Sequence, residues 1–252
     1  MEFLAGPEVL LLLFLVALVA GCIDAIAGGG GLLTVPALLA AGLPPAATLA
    51  TNKLQGSFGT LVASITFIRR GEIDLRRFWP FIAATFTGSV LGTVGVRMID
   101  ASALAQMIPV LLVGVALYVL LSPRAGDIEA HRRVPDAFFI GAVAPLIGAY
   151  DGFFGPGTGS FFAIAFVALA GYSLRRATAH AKVLNFTSNI ASLAIFVSGG
   201  HVVWIVGGAM ALGQLIGAQI GAHLVVRVGA RIVRPVLVVV SVALALKLLI
   251  WG

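Results

Sequence analysis

Lys182, Asn185 and Asn189 recur at i, i+3 and i+7, so on an α-helix they share one face, and Ser192 continues it. Lys53, Gly56 and Thr60 make the matching face 129 residues earlier, with Ser64 extending it and Asn52 and Gln55 beside it. His180 stands near the start of the second stripe. An ammonium group with several amides is equipment for holding an anion, since the charge attracts it and the amide N–H groups orient it. The plainer reading of such a stripe is hydrogen-bond glue between helices, worth about 0.6 kcal/mol per contact in a membrane. For each lysine it is a stem that snorkels to the surface. So dense a polar face in apolar surroundings is costly unless it meets polar partners or water, which points to the lining of a substrate path.

A second pair of features frames these stripes. Asp24 is followed by Gly28 to Gly31, and Asp151 by Gly155-Pro156-Gly157-Thr158-Gly159. Each glycine run precedes a short apolar segment. A helix that starts inside the membrane exposes unpaired N–H groups and the positive end of its dipole, a natural anion site. Gly29, Gly30, Gly157 and Thr158 are therefore candidate substrate contacts, alongside Asn52, Lys53, Gln55, His180, Lys182, Asn185 and Asn189. Asp24 and Asp151 are candidates for proton coupling or for tuning the site; their structural alternative is to cap the broken helices. Two acids and two bases invite pairing, Asp24 with Lys53 and Asp151 with Lys182, or across the two halves.

The elements that must position these residues follow from composition. Of 252 residues, 60% are hydrophobic and 10% charged, and the mean hydropathy is +1.09. No soluble core hides that much apolar surface, so the bilayer is the solvent and the fold class is an all-α polytopic membrane protein. A net charge of +6 resembles a nucleic-acid signal, but the basic residues sit in short gaps between apolar runs. No nucleic-acid partner is expected, and there is no P-loop. HExxH, CxxC and Gly-x-Ser-x-Gly are all missing from the sequence, so no metal, cofactor or serine chemistry is expected. Val19-Ala20-Gly21-Cys22 mimics a lipoprotein box, but no Lys or Arg precedes it, and Cys22 is expected to be an ordinary helix residue.

Apolar runs fall near 8–27, 32–42, 46–68, 76–98 and 101–121, then 136–151, 159–171, 174–198, 201–226 and 231–251. The second run of each half is too short to cross about 30 Å of hydrocarbon. Each half should thus open with a helix that breaks at glycine and continues as a half-helix. Alternation places Arg69, Arg70, Arg76, Arg77, Arg124, Arg132, Arg133, Arg175, Arg176, Arg227, Arg231 and Arg234 on one side and only Arg97 on the other. By the positive-inside rule the arginine side is cytoplasmic and both termini are periplasmic. Equivalent loops of the two halves swap charge: Arg69-Arg70-Gly71-Glu72 corresponds to Ser198-Gly199-Gly200-His201. The halves therefore read as an inverted repeat, 1–121 and 136–252, joined by a cytoplasmic linker at 122–135. Gly88-x-x-x-Gly92 and Gly213-x-x-x-Gly217-x-x-x-Gly221 read as seams for close helix packing.

Gly28-Gly-Gly-Gly-Leu-Leu-Thr-Val-Pro36, Ala50-Thr-Asn-Lys-Leu54, Arg70-Gly-Glu-Ile-Asp74 and His180-Ala-Lys-Val-Leu-Asn-Phe-Thr-Ser-Asn189 resemble the sulfite exporter TauE/SafE family over nearly the whole chain. The second half is most similar to its YfcA-like membrane transporters. The resemblance implies a bacterial inner-membrane permease for sulfite or related small organosulfur anions. It assigns no roles to individual residues. The leading expectation is a secondary transporter that moves a small anion by alternating access, not an enzyme. A passive anion channel on the same scaffold, an intramembrane enzyme using Asp24 and Asp151 as an acid/base dyad, and a non-transporting membrane partner are the alternatives. The sequence leaves a homodimer open.

Overall fold

The computed structural model describes residues 6–121 and 131–228. Every regular element among them is helical. In chain order these are α1 (Pro7–Ala27), α2 (Gly31–Ala40), α3 (Pro45–Arg69), α4 (Leu75–Arg97) and α5 (Ala101–Leu121). Next, α6 (Asp136–Phe138) runs through a π turn (Phe139–Val143) into α7 (Ala144–Phe153). The series ends with α8 (Thr158–Ala168), α9 (Leu174–Ser198) and α10 (Trp204–Val228). The protein is an all-α polytopic membrane protein. The expected tenth run, 231–251, and most of the 122–135 linker lie outside the described residues.

Local chemistry sets the boundaries. Pro7 and Pro45 open their helices where a missing N–H costs nothing. Asp74 caps α4 by accepting from the Arg76 N–H at 3.0 Å. By length and composition α1, α4, α5, α9 and α10 can cross a membrane. Helices α2 and α8, with 10 and 11 residues, cannot. Large apolar side chains face outward, Leu91 at 66% exposure and Ile205 at 64% among them, as a lipid-solvated surface requires.

The short helices double back. Gly30 sits against Ala20 and Asp24 of α1, while Leu38 and Leu43 pack with Leu13 and Ala17, nearer the start of α1. The chain therefore reverses at Gly28–Gly30, and α2 returns toward the end where α1 began. In the same way α8 starts at the break after α7 and runs back, so Phe166 stacks on Phe139 at 4.5 Å. These are two re-entrant hairpins. Gly28 and Gly29 adopt φ of 70° and 153°, and Gly157 a φ of 87°, conformations that disfavour any residue with a Cβ. The hairpin tips touch: a Cβ on Gly28 would lie 2.7 Å from the Gly159 carbonyl carbon, and the Ser160 hydroxyl donates to the Gly28 carbonyl.

A glycine seam binds each hairpin to a full-length helix. Gly213, Gly217 and Gly221 of α10 press on the backbone of Phe14, Leu18 and Cys22 of α1. Gly88 and Gly92 of α4 press on Pro145 and Ala149 of α7, and Gly148 and Gly152 press back on Thr85 and Ser89. Cys22 is an unbonded, half-buried thiol within α1. The bundle thus has two distinct ends. One collects Arg69, Arg70, Arg76, Arg77, Arg132, Arg133, Arg175 and Arg176 around an aromatic cluster of Phe78, Phe81, Phe139 and Phe166. At this end Arg132 pairs with Asp136 at 2.6 Å, and that carboxylate holds the guanidinium proton above its usual range. The other end carries Arg97, which donates to the Ile195 carbonyl at 3.3 Å.

Candidate substrate site

The two polar stripes lie on α3 and α9. Lys53 is the eighth residue past Pro45, and Lys182 the eighth past Leu174. At 1.5 Å of rise per residue each lysine is about 12 Å into its helix, from opposite ends of the bundle. Both side chains are 1% exposed, so neither snorkels.

Each lysine instead reaches the aspartate of the other half. Lys53 Nζ lies 2.9 Å from Asp151 Oδ1 and donates to the Asp151 carbonyl at 2.5 Å. Lys182 Nζ lies 3.0 Å from Asp24 Oδ2 and also donates to the Asp24 carbonyl. Of the pairings the sequence allows, the crossed one is found. The geometry is sound for buried charge, because each ammonium also donates to a backbone carbonyl near a helix break, that of Asp151 and that of Asp24, which the Gly28 N–H shares at 2.9 Å.

The pairs differ in what else surrounds the carboxylate. Asp24 Oδ1 accepts the Gly29 and Gly30 N–H groups at 2.9 and 3.2 Å. The amides expected to hold a ligand at the start of α2 are thus occupied by the protein's own carboxylate, which caps the helix. Asp151 Oδ1 accepts Lys53 and the Thr158 hydroxyl, the latter at 2.7 Å. Its Oδ2 is buried with no hydrogen-bond partner.

Between the pairs lies a cavity of about 30 Å³, room for two water-sized spheres at roughly 10–15 Å³ each. Asp24, Gly29, Asn52, Gln55, Gly157, Thr158, Asn185, Asn189 and Asp151 line it, so residues from both glycine breaks and both stripes meet here. Lys53 and Lys182 stand behind their aspartates, and Gly30 behind Asp24. A network from Thr34 orders one wall: its hydroxyl donates to Asn52 Oδ1 at 2.6 Å, and Gln55 Nε2 donates to the same oxygen at 2.8 Å. Opposite, Asn189 donates to Asn185 Oδ1 at 3.3 Å. The Asn189 amide lies over Gly56, where an added Cβ would meet it at 3.7 Å. The glycine on α3 leaves the space that the asparagine on α9 fills.

His180 does not join this group. Its ring sits in the aromatic cluster at the arginine end, edge-on to Phe78 at 4.8 Å and to Tyr172 at 5.0 Å, with Nδ1 2.8 Å from the Arg176 carbonyl. At about 3.6 residues per turn His180 lies roughly half a turn around α9 from both Lys182 and Asn189, so its ring faces away from the stripe and the cavity. Ser192 serves as glue, 2.9 Å from Ser89 and 2.8 Å from Thr93 on α4. Sequence reasoning missed Thr34 and Gln214. Gln214 comes from α10, wedges its amide between Gly21 and Gly59, and lines the cavity. Its signal was a glutamine within a glycine seam, a place it shares with Gln219.

The arrangement is a polar cavity walled by buried ion pairs, amides and hydroxyls inside an apolar helical bundle. Each aspartate has its own lysine, so the two do not form a carboxylate dyad. No group of three or more His, Cys, Asp or Glu that could hold a metal occurs among the described residues.

Comparison with known proteins agrees with this picture. The chain is 48% identical to a probable membrane transporter protein ORF9 of Sinorhizobium sp over 242 residues, covering 96% of this chain and 93% of that one. It is 48% identical to the probable membrane transporter protein YfcA of Escherichia coli (strain K12) over 247 residues, covering 98% and 92%. A probable membrane transporter protein of Haemophilus influenzae is 46% identical over 243 residues, covering 96% and 95%. No solved structure matches. The pattern of the family described as sulfite exporter TauE/SafE matches residues 13–248. With its re-entrant hairpins, buried ion pairs and polar cavity, the chain belongs to the sulfite exporter TauE/SafE family of membrane transporters.

Proposed function

We propose that this protein is a secondary transporter that carries a small anion, sulfite or an organosulfur anion, across the bacterial inner membrane by alternating access. The observation that carries the reading is the cavity walled by both hairpin tips and by the amides of α3 and α9. Irregular backbone at membrane depth is tolerated where protein or a water-filled path surrounds it, and transporters place substrate sites at such breaks. The two halves, 1–121 and 136–252, act as inverted units that rock about the crossed lysine–aspartate pairs. The cavity, at about 30 Å³, is in a closed form, and a sulfite-sized anion enters as the halves rock apart. Its amides supply directional hydrogen bonds, and Asp24 and Asp151 balance the lysine charges. The arginine end faces the cytoplasm, by the positive-inside rule.

Purified protein in proteoliposomes, loaded with sulfite, thiosulfate or sulfoacetate, should show saturable flux above protein-free vesicles. Absence of flux for every such anion would end the proposal. Flux that follows the membrane potential without saturating would instead support a passive channel on the same scaffold.

A further inference from the structure

The cavity's unmet needs are acceptors. Asp151 Oδ2 and Gln55 Oε1 are both buried and both lack a hydrogen-bond donor, and both residues line the cavity at 1% exposure. Gln55 cannot relieve this by turning its amide, because Nε2 is committed to Asn52 Oδ1 at 2.8 Å and Thr34 Oγ1 at 3.2 Å. A buried acceptor without a donor is expensive, so a ligand seated here must bring hydrogens. The second half of the requirement is charge. Lys53 and Lys182 are each already neutralised by a carboxylate. No free cation faces the cavity among its lining residues, so a fully ionised dianion would enter without a counter-charge.

We propose that the ligand is an oxyanion that occupies the cavity with one proton, which is directed at Asp151 Oδ2, and that Asp24 takes no part in proton handling. Asp24 is excluded by its contacts: both oxygens are engaged, by Gly29, Gly30 and Lys182. Asp151 has one oxygen engaged and one free. The proton arrives on the anion or from water and is held between ligand oxygen and Asp151 Oδ2, with no covalent step. The charged or titratable groups around Asp151 are Lys53 on α3 and Tyr150 beside it, with Asp24 and its Lys182 across the cavity. Helix α8 offers Asp151 the Thr158 hydroxyl, and the Thr93 hydroxyl of α4 donates to the neighbouring Gly152 carbonyl.

This inference rests on the anion-transport reading, and one experiment separates the two. Full-length protein is reconstituted into vesicles holding a luminal pH dye, and sulfite or sulfate is added outside at equal pH, with protein-free vesicles as control. Entry of a singly protonated anion acidifies the lumen, whereas entry of sulfite as the dianion makes it alkaline. We expect acidification with sulfite and at least about tenfold slower uptake of sulfate, the discrimination expected when a buried acceptor is left unpaired. Gln55→Leu should lower sulfite uptake by about tenfold while its thermal melting stays that of a folded protein. Equal rates for the two anions, luminal alkalinisation with sulfite, or a folded Gln55→Leu variant with unchanged uptake (acceptors served by water alone) would each overturn the inference and leave anion transport standing. If neither anion moves, the transport reading falls with it.

Discussion

Lys182 on α9 binds Asp24 on α1 twice, through Oδ2 at 3.0 Å and through the backbone carbonyl. One ammonium therefore ties the tip of the first hairpin to the second half of the chain, and Lys53 does the reverse at Asp151. Breaking one side of a buried pair leaves an uncompensated charge, which costs about 3–5 kcal/mol, whereas removing both partners costs far less. Lys182→Met should lower the detergent-solubilised melting temperature sharply, and Lys182→Met with Asp24→Asn should recover much of the loss. Thermal unfolding of the wild type, the single and the double variant measures the difference.

The seams give a second set of outcomes. A Cβ at Gly92 would collide with the Ala149 carbonyl oxygen, and one at Gly217 with the Leu18 carbonyl oxygen. Both obstacles are backbone, so the helices must separate. Gly92→Val and Gly217→Val should each destabilise by about 1–3 kcal/mol or more. Gly95 lies on the same helix as Gly92 but has nothing within 4 Å of its would-be Cβ, so Gly95→Ala should stay within about 1 kcal/mol of wild type. Melting curves and the monodisperse fraction after purification report both.

Helix placement was legible in the sequence because the bilayer imposes it. The expected runs 46–68 and 174–198 became α3 at Pro45–Arg69 and α9 at Leu174–Ser198, and the short second runs became the returning limbs α2 and α8. Periodicity also grouped Asn185 with Asn189, and the two line one wall. The direction of α2 and α8 was not legible, because apolar length says how far a segment reaches and not which way it turns. The lysine partners were ambiguous for the same reason: sequence spacing cannot tell crossed from uncrossed pairing when both halves carry the same residues. His180 misled because nearness in sequence is not nearness on a helix: two residues before Lys182 is roughly half a turn, which puts its ring on the opposite side of α9.

That difference in placement is itself testable. Asn189 lines the cavity, whereas His180 packs among aromatic rings at the arginine end. A hydrogen bond to a charged ligand is worth about 1.5–3 kcal/mol, so Asn189→Ala should raise the KM for anion flux by about tenfold or more. His180→Phe keeps the edge-to-face packing and should leave that KM within about threefold, with its effect confined to stability or maximal rate. Concentration-dependent flux in proteoliposomes separates the two.

The two ends of the bundle predict opposite labelling. Arg76 is exposed in the first turn of α4 at the arginine end, and Met98 is 82% exposed just beyond the other end of that helix. Removing the sole native thiol with Cys22→Ser gives a background in which one introduced cysteine reports one side. The proposed orientation, which rests on the positive-inside rule, puts the arginine end on the cytoplasmic side. Met98→Cys should therefore react with a membrane-impermeant maleimide in intact spheroplasts. Arg76→Cys should react only after the membrane is permeabilised. The reverse pattern would invert the sidedness of the transporter while leaving the crossed lysine pairs and the cavity unchanged.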